Sequence, residues 1–168
     1  MIHVCSLARL HATVDETKAL HIVTLLRRTD VVTRPSHIAE ANHLNLSVDD
    51  IPSPMDGMVV PAQEHVERLI DFVSQWDRAA PMVVHCYAGI SRSTAAAFTA
   101  ACLINPERDE MQIAQAMRDA SRTVQPNKAI VSIADRLLKR DGRMVRAVDA
   151  LGPGYPAEEG VPFRLDLV

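Results

Sequence analysis

The chain has 168 residues, close to the commonest length of a single domain and long enough to bury a hydrophobic core. Apolar residues make up 48% and charged residues 23%, and the net charge of -3 lacks the basic excess that nucleic-acid-binding proteins usually carry. The longest stretch without a charge, residues 93–106, is too short and too rich in Ala and Thr to cross a bilayer, so we expect neither a nucleic acid nor a membrane as partner.

Short apolar runs predict four β-strands, at residues 2–6, 19–26, 43–48 and 82–85. The run 19–26 is almost continuously apolar, which is typical of a strand that is covered on both faces. In the run 43–48 the apolar residues alternate with polar ones, and this alternation places Leu44, Leu46 and Val48 on one face of a strand.

Helices are predicted between and after these strands, at residues 7–18, 62–79, 93–104, 109–121 and 127–150. Ser6 is a candidate N-cap of the first helix, and Gly142 predicts a break in the last one. In the helix 62–79 the apolar residues recur at spacings of three and four, as on one face of an amphipathic helix. This alternation of strands and helices predicts an α/β domain with a small, largely parallel sheet flanked by helices.

The composition changes after residue 151, so we divide the chain into one domain at 1–151 and a Gly/Pro-rich C-terminal tail at 152–168. A terminal segment of this kind is typically loose, which is the interpretation that we prefer. The alternation of Val161, Phe163, Leu165 and Leu167 supports the alternative that the end of the chain is extended and packs on the domain or pairs with a sheet edge.

The segment VVHCYAGISRSTAAA, residues 83–97, carries the strongest chemical signal. A buried strand leads into Cys86, and a helix opens at Arg92 and Ser93. A loop that curls from a strand into a helix N-terminus directs several backbone N–H groups inward, where the helix dipole adds partial positive charge. Gly89 allows the backbone conformation of such a curl. These surroundings favour a thiolate at Cys86, and Arg92 could hold two phosphate oxygens through its planar guanidinium.

The stretch HCYAGISRS, residues 85–93, resembles the His-Cys-x-x-Gly-x-x-Arg-Ser/Thr signature of the protein tyrosine phosphatase superfamily. The form with Gly89, Ser91, Arg92 and Ser93 is most similar to the dual-specificity branch, and QPN at residues 125–127 is similar to the Pro-Asn that follows in that branch. The resemblance extends over about residues 43–140 and implies the cysteine-phosphatase fold.

The resemblance implies a phosphate-monoester hydrolase that works through a cysteinyl-phosphate and needs neither a metal nor another cofactor. It also implies that His85 orients Cys86, and that Ser93 stabilises the sulfur when it leaves. The phosphate would be bound by Arg92 and by the main-chain N–H groups of the loop, namely those of Tyr87, Ala88, Gly89, Ile90, Ser91 and Arg92.

This chemistry needs a general acid, which in similar phosphatases is an aspartate on a loop some thirty residues before the cysteine. Asp49, Asp50 and Asp56 fit that description, and the Pro-rich loop 51–61 separates the first two from Cys86 by a slightly long interval. The strand alternation continues in phase from Val48 to Asp50, so we prefer Asp50, with Asp56 as the alternative.

The expected substrate is a phosphorylated protein or a small phosphomonoester. Alternatives are a phosphatase of nucleotides, RNA 5′ ends, small metabolites or inositol phosphates, and a catalytically silent phosphate-binding module. The loop interior YAGIS has no lysine, unlike similar enzymes that hydrolyse inositol phospholipids, which disfavours a lipid substrate. The sequence does not indicate an oligomeric state.

Three cysteines without framework spacing fit a reducing, cytoplasmic location, and the charged residues of the N-terminal segment are unlike a secretory signal. Cys102 is expected in the core, whereas Cys5 on the first strand is a candidate for a protective disulfide with Cys86. The seven histidines show no metal-ligand spacing, so we expect no metal site.

Overall fold

The computed structural model describes residues 1–167, which form a five-stranded sheet with helices on both faces. The strands are β1 (Ile2–Ser6), β2 (His21–Leu26), β3 (His43–Ser47), β4 (Met82–Cys86) and β5 (Phe163–Leu165), and their order across the sheet is β3-β2-β4-β1-β5. The first four strands run parallel, and β5 runs antiparallel to β1. The predicted α/β fold with a small, largely parallel sheet is therefore confirmed.

The described part of the chain, residues 1–167, has six α-helices beside the sheet: α1 (Leu10–Thr17), α2 (Gln63–Gln75), α3 (Arg92–Ile104), α4 (Glu110–Ala120), α5 (Lys128–Leu137) and α6 (Arg143–Leu151). Helix α1 covers one face of the sheet with Leu10 and Val14, and the larger core lies on the other face. Helix α3 is the centre of that larger core, because its residues 92–102 are all buried. Its run of Ala residues allows this close packing on the sheet. Among residues 1–167, no helix is both long and apolar enough to span a membrane.

The helix boundaries follow from local signals. The Oγ of Ser6 accepts a hydrogen bond from the N–H of Arg9 at 3.3 Å and starts a 3₁₀ turn that leads into α1. Helix α2 ends at Gln75, four residues before its predicted end, because Trp76 has extended backbone angles and Arg78 is left-handed. The predicted break at Gly142 is confirmed, since this residue has a φ of +79° between α5 and α6.

Our preferred interpretation of a loose C-terminal tail is wrong, because the end of the chain contains a β-strand. Phe163–Leu165 pair with the outer edge of β1, opposite Val4 and Ile2, and form β5. The side chains of Phe163 and Leu165 point into the core and are 7% and 2% exposed. Two forces explain this docking: the apolar alternation buries one face of the segment, and β5 satisfies the edge of β1 that would otherwise lack partners.

The four parallel strands all end on the same side of the sheet, which we call its carboxyl edge. Cys86 is the last residue of β4, Ser6 is the last residue of β1, and Val48 follows β3. Helix α3 begins at this same edge, with its N-terminus facing the strand ends. In open α/β sheets this edge is the usual place for a ligand, because loops and helix N-termini converge there.

Candidate active site

The loop from Cys86 to Arg92, which we call the Cys86 loop, joins β4 to α3 at this edge. The sulfur of Cys86 is almost entirely buried, with the residue 1% exposed. The Oγ of Ser93 lies 3.1 Å from this sulfur, and the N–H of Gly89 donates to it at 3.3 Å. Both contacts can stabilise a negative charge on sulfur.

The carbonyl groups of the Cys86 loop are held on its outer side. Four of them accept hydrogen bonds from backbone N–H groups outside the loop, at 2.9–3.2 Å: Tyr87 from Leu7, Ala88 from Gly160, Ile90 from Gln125 and Ser91 from Asn127. The C=O and the following N–H of a trans peptide point in opposite directions. Fixing the carbonyls outward therefore turns the N–H groups of the loop toward its interior, where an anion would bind.

Gly89 has no room for a side chain. Its φ is +73°, and a Cβ at this position would lie 2.7 Å from the carbonyl carbon of Cys5 and 2.8 Å from the nitrogen of Ser6. The loop thus packs directly on the backbone at the end of β1. Only glycine satisfies both the left-handed conformation and this close approach.

Arg92 is the first residue of α3, and only 5% of it is exposed. One guanidinium nitrogen, Nη1, donates to the carbonyl oxygen of Val48 at 2.9 Å and thereby fixes the side chain against the end of β3. The Nε of Arg92 is buried and has no hydrogen-bond partner among residues 1–167. A buried charged donor without an acceptor is costly, so this group is suited to an oxyanion ligand.

The three candidate acids lie in different surroundings. Asp50 lines the cleft above Cys86, and its Oδ1 accepts hydrogen bonds from the Oγ of Ser91 at 2.7 Å and from the Nδ2 of Asn127 at 2.8 Å. Asp49 is buried and accepts the N–H of Val59 at 2.7 Å, so its carboxylate fastens the 51–61 loop. Asp56 is exposed in that loop and does not line the cleft.

The cleft above Cys86 has a volume of about 570 Å³. Most of the predicted site residues line it, namely Asp50, Cys86, Tyr87, Ala88, Ile90, Ser91 and Arg92. Of the other three, Gly89 and Ser93 contact the sulfur of Cys86, and His85 precedes Cys86 on β4. The structure therefore brings the predicted residues together, and their individual roles stay predictions.

His85 lies behind Cys86 in a buried hydrogen-bonded chain. Its Nε2 is 2.7 Å from the Oγ1 of Thr24 on β2, and the same oxygen is 2.7 Å from the Nε2 of His43 on β3. Burial lowers the pKa of His85 to about 4, so the ring is neutral at physiological pH. Thr24 thus fixes the orientation of the ring next to the nucleophile.

Cys5 and Cys102 are free, buried thiols. The side chain of Cys5 packs with Leu10 and Val14 on the α1 face of the sheet, whereas Cys86 belongs to the core on the other face. Burial raises the pKa of Cys5 and of Cys102 to about 12, which keeps both protonated. The opposite orientation of the two side chains disfavours a Cys5–Cys86 disulfide.

Two contributors to the site are residues that the sequence analysis did not single out. Asn127 belongs to the QPN stretch, which was noted only for its similarity to the family, yet its side chain contacts Asp50. Thr24 lies within an apolar strand and carried no signal of its own. Within residues 1–167, no group of three His, Cys, Asp or Glu side chains is placed to hold a metal ion.

The comparisons with known proteins agree with this geometry. Residues 48–129 match the family model of protein-tyrosine phosphatase. A relative from Drosophila melanogaster, dual specificity protein phosphatase MPK-4, is 31% identical over 122 residues, which are 71% of this chain and 29% of the relative. The chain thus spans less than a third of the length of that relative.

Solved structures share the fold. DUSP15 aligns over 89% of both chains with 18% identity and a TM-score of 0.64. Human DUSP28 aligns over 83% of this chain and 88% of its own, with 18% identity and a TM-score of 0.63. These two structures show that the chain shares the fold, and the Cys86 loop, the family model and the Drosophila relative support its assignment to the dual-specificity-like branch of the protein tyrosine phosphatase superfamily.

Proposed function

We propose that this protein is a phosphatase that hydrolyses phosphate monoesters through a cysteinyl-phosphate at Cys86. The observation that carries the proposal is the position of the Cys86 sulfur. It lies beneath a ring of inward N–H groups, 3.3 Å from the N–H of Gly89 and 3.1 Å from the Oγ of Ser93, with the guanidinium of Arg92 in the same cleft. A buried sulfur in an electropositive cup is suited to a thiolate nucleophile.

In the first step the thiolate of Cys86 attacks phosphorus in line with the leaving oxygen. The S–P bond forms while the P–O bond breaks, and the other phosphate oxygens are stabilised by the loop N–H groups and Arg92. Asp50 donates its proton to the leaving oxygen, which would otherwise depart as a poor leaving group. Because both hydrogen bonds to Asp50 fall on Oδ1, its Oδ2 is available to carry that proton.

In the second step a water molecule attacks the phosphorus of the cysteinyl-phosphate. Asp50, now ionised, takes a proton from the water, and the S–P bond breaks to release phosphate. The hydroxyl of Ser93 donates to the departing sulfur, which its distance of 3.1 Å allows. His85 positions Cys86 from behind through its fixed, neutral ring.

The residues lining the cleft support a substrate with a single phosphate group. Its cationic side chains are Arg92 and Lys128, and the ammonium of Lys128 is 2.6 Å from the carboxylate of Asp149. The Lys128–Asp149 pair is exposed and therefore weak, so among the lining residues Arg92 is the one buried, fixed positive charge for a phosphate. Together with the similarity to a dual specificity protein phosphatase, this favours a phosphorylated protein as substrate.

A phosphoinositide is the alternative substrate that a specific comparison raises. PTPMT1, whose structure in complex with PI(5)P is known, aligns over 88% of this chain with 14% identity and a TM-score of 0.60. The Cys86 loop of this chain has no lysine, which disfavours a highly charged headgroup. The test of substrates must therefore include both phosphorylated peptides and inositol phosphates.

The test is hydrolysis of p-nitrophenyl phosphate in the presence of EDTA and a thiol reductant, by the wild type and by Cys86→Ser. We expect activity that survives EDTA, is inhibited by vanadate and is lost in the variant. A panel of phosphopeptides, nucleotides and inositol phosphates then ranks the substrates by kcat/KM. Folded, reduced protein without activity toward the whole panel would contradict the proposal and favour a silent phosphate-binding module.

A further inference from the structure

The C-terminal segment passes behind the Cys86 loop before it reaches the sheet. Residues 152–162, which we call the strap, connect α6 to β5. The strap is fastened at its start, because the N–H of Tyr155 donates to the carbonyl of Arg122 at 2.8 Å and the guanidinium of Arg122 lies 4.0 Å from the centre of the Tyr155 ring. It is fastened at its end by the pairing of β5 with β1.

Between these anchors, Gly160 contacts the Cys86 loop itself. Its N–H donates to the carbonyl oxygen of Ala88 at 2.9 Å. Gly160 is buried, and a Cβ there would lie 2.9 Å from the carbonyl oxygen of Gly89 and 3.2 Å from the Oγ1 of Thr123. The strap therefore lies in direct backbone contact with the loop, with no space for a side chain between them.

The Ala88–Gly89 peptide links this contact to the nucleophile. The carbonyl of Ala88 and the N–H of Gly89 belong to one planar trans unit and point in opposite directions. The carbonyl end is held by Gly160, and the N–H end donates to the sulfur of Cys86 at 3.3 Å. We propose that Gly160 is a positioning residue for the reaction: its N–H holds the Ala88 carbonyl outward and so aims the Gly89 N–H at the Cys86 sulfur.

A second contact keeps Gly160 in place. The Oε1 of Glu159 accepts a hydrogen bond from the Oγ of Ser6 at 2.5 Å, at the end of β1. Leu7, which follows Ser6, donates its N–H to the carbonyl of Tyr87, and this carbonyl precedes that of Ala88 in the Cys86 loop. The strap and the end of β1 thus hold two successive peptide units of the loop from the outside.

This inference rests on the proposed function, because it assigns a role in activating Cys86. It implies that the end of the chain, more than 70 residues after the loop in sequence, sets the reactivity of the nucleophile. If the strap is displaced, the Gly89 N–H loses its fixed direction, and the thiolate loses one of its two hydrogen-bond donors. The charged or titratable side chains that line the cleft with Cys86 belong to Asp50, Tyr87, Arg92 and Lys128. Nearby are those of His85 on β4, Cys5 on β1 and Glu159 on the strap.

The experiment measures how the rate at which iodoacetamide alkylates Cys86 depends on pH, because the thiolate is the form that reacts. Gly160→Ala adds a methyl group that must push the strap away from the loop. Because the thiolate would lose the hydrogen bond from the N–H of Gly89, the midpoint of the alkylation profile should move to higher pH by about one unit or more. We expect kcat/KM to fall roughly tenfold to a hundredfold for the same reason.

Three further variants complete the test. Val161→Ala, at the adjacent and 72% exposed position, should have the wild-type profile. Glu159→Ala releases the anchor at Ser6, and Glu159→Gln removes the same charge but keeps an acceptor for Ser6. Relative to Glu159→Gln, the profile of Glu159→Ala should be shifted to higher pH, by less than that of Gly160→Ala. Circular dichroism establishes that each variant is folded, and Glu159→Ala decides the matter if Gly160→Ala does not fold.

The inference would be overturned by a wild-type alkylation profile in folded Gly160→Ala or, where that variant does not fold, by equal profiles in Glu159→Ala and Glu159→Gln. Alkylation needs no substrate, so this result is separate from the test of the proposed function. An inactive wild type would contradict the phosphatase, and the comparison of profiles would still decide whether the strap positions the Cys86 loop.

Discussion

Asp50 and Asn127 are joined across the cleft although 77 residues separate them in sequence, by a hydrogen bond of 2.8 Å from Nδ2 to Oδ1. The other end of the Asn127 side chain caps α5, since its Oδ1 accepts the N–H of Ile130 at 3.1 Å. The cap fixes which way the carboxamide faces and leaves only its amino group for Asp50. The start of α5 therefore sets the position of the proposed general acid.

The assignment of Asp50 predicts a specific kinetic defect. Asp50→Asn should lower kcat by roughly 10²–10⁴, because the leaving oxygen would depart without a proton. The basic limb of the pH–kcat profile should disappear as well, since that limb reports deprotonation of the acid. Both changes are read from steady-state kinetics on p-nitrophenyl phosphate and on a poorer leaving group such as phenyl phosphate.

Asp56→Asn is the matched control, because Asp56 is the alternative acid and lies outside the cleft. We expect its kcat and pH profile to stay at wild-type values. Loss of the basic limb in Asp56→Asn with its retention in Asp50→Asn would show that the acid is misassigned.

Asn127→Asp tests the link between the helix cap and the acid. An aspartate keeps an oxygen for the N–H of Ile130 but presents a second carboxylate oxygen to Asp50 in place of a donor. A like charge at this distance disfavours ionisation of Asp50, so the basic limb should move to higher pH. At neutral pH the same repulsion should lower the thermal stability although the cap is preserved, and the loss should diminish as the pH is lowered and the carboxylates are protonated. If the basic limb of the pH–kcat profile stayed in place in the folded variant, residue 127 would not influence the ionisation of Asp50.

Acid should destabilise the fold through His85. Its pKa is about 4 in the folded protein, and the ordinary value is 6.5. Between these two pH values the unfolded chain binds a proton at His85 that the folded protein does not, so the free energy of unfolding falls as the pH is lowered. The loss attributable to His85 amounts to roughly 3 kcal/mol over this window.

Urea denaturation of wild type and His85→Gln at several pH values checks this expectation. The variant should be less stable at pH 7.5, because it disturbs the contact with Thr24, and its stability should depend less on pH between 6.5 and 4. His11→Gln, at an exposed position, is the control, and its free energy of unfolding should depend on pH as in the wild type. If the free energy of unfolding depended equally on pH in His85→Gln and in the wild type, the assignment of a neutral, buried ring would be contradicted.

The three cysteines should differ sharply in reactivity. Iodoacetamide at pH 7 should label Cys86, which lines the cleft. Cys5 and Cys102 do not line it, and burial raises their pKa values to about 12, so both should react only after denaturation. Peptide mapping by mass spectrometry measures the label at each position. After mild peroxide treatment we expect no Cys5–Cys86 peptide, and its appearance would show that the loop moves enough to bring the two sulfur atoms together.

Local patterns were sufficient to predict most of this fold. The apolar runs identified the four parallel strands, and the spacing within 83–97 identified the Cys86 loop, because strand, curl and helix N-terminus are adjacent in sequence. Asp50 was chosen from the phase of a single strand, and it does line the cleft. Those inferences need only neighbours along the chain.

The contacts that sequence reasoning missed join distant segments. The bond between Asn127 and Asp50 depends on where α5 begins relative to β3, and the contact between Gly160 and Ala88 depends on the path of the strap. Gly and Pro content favoured a loose tail, whereas the exposed edge of β1 and the apolar alternation at Phe163 and Leu165 decided the outcome. Pairing across a sheet edge is a tertiary effect that composition does not reveal.

The central claim is that Cys86 carries the phosphoryl group during turnover. Rapid acid quenching during hydrolysis of p-nitrophenyl phosphate, followed by peptide mapping, tests this directly. Ser93→Ala should increase the trapped fraction, because loss of the hydroxyl 3.1 Å from the sulfur slows the release of the thiolate. The account predicts the mass of one phosphoryl group on the peptide that contains Cys86, and none in Cys86→Ser. Sustained turnover without this modification, or turnover by Cys86→Ser, would contradict it.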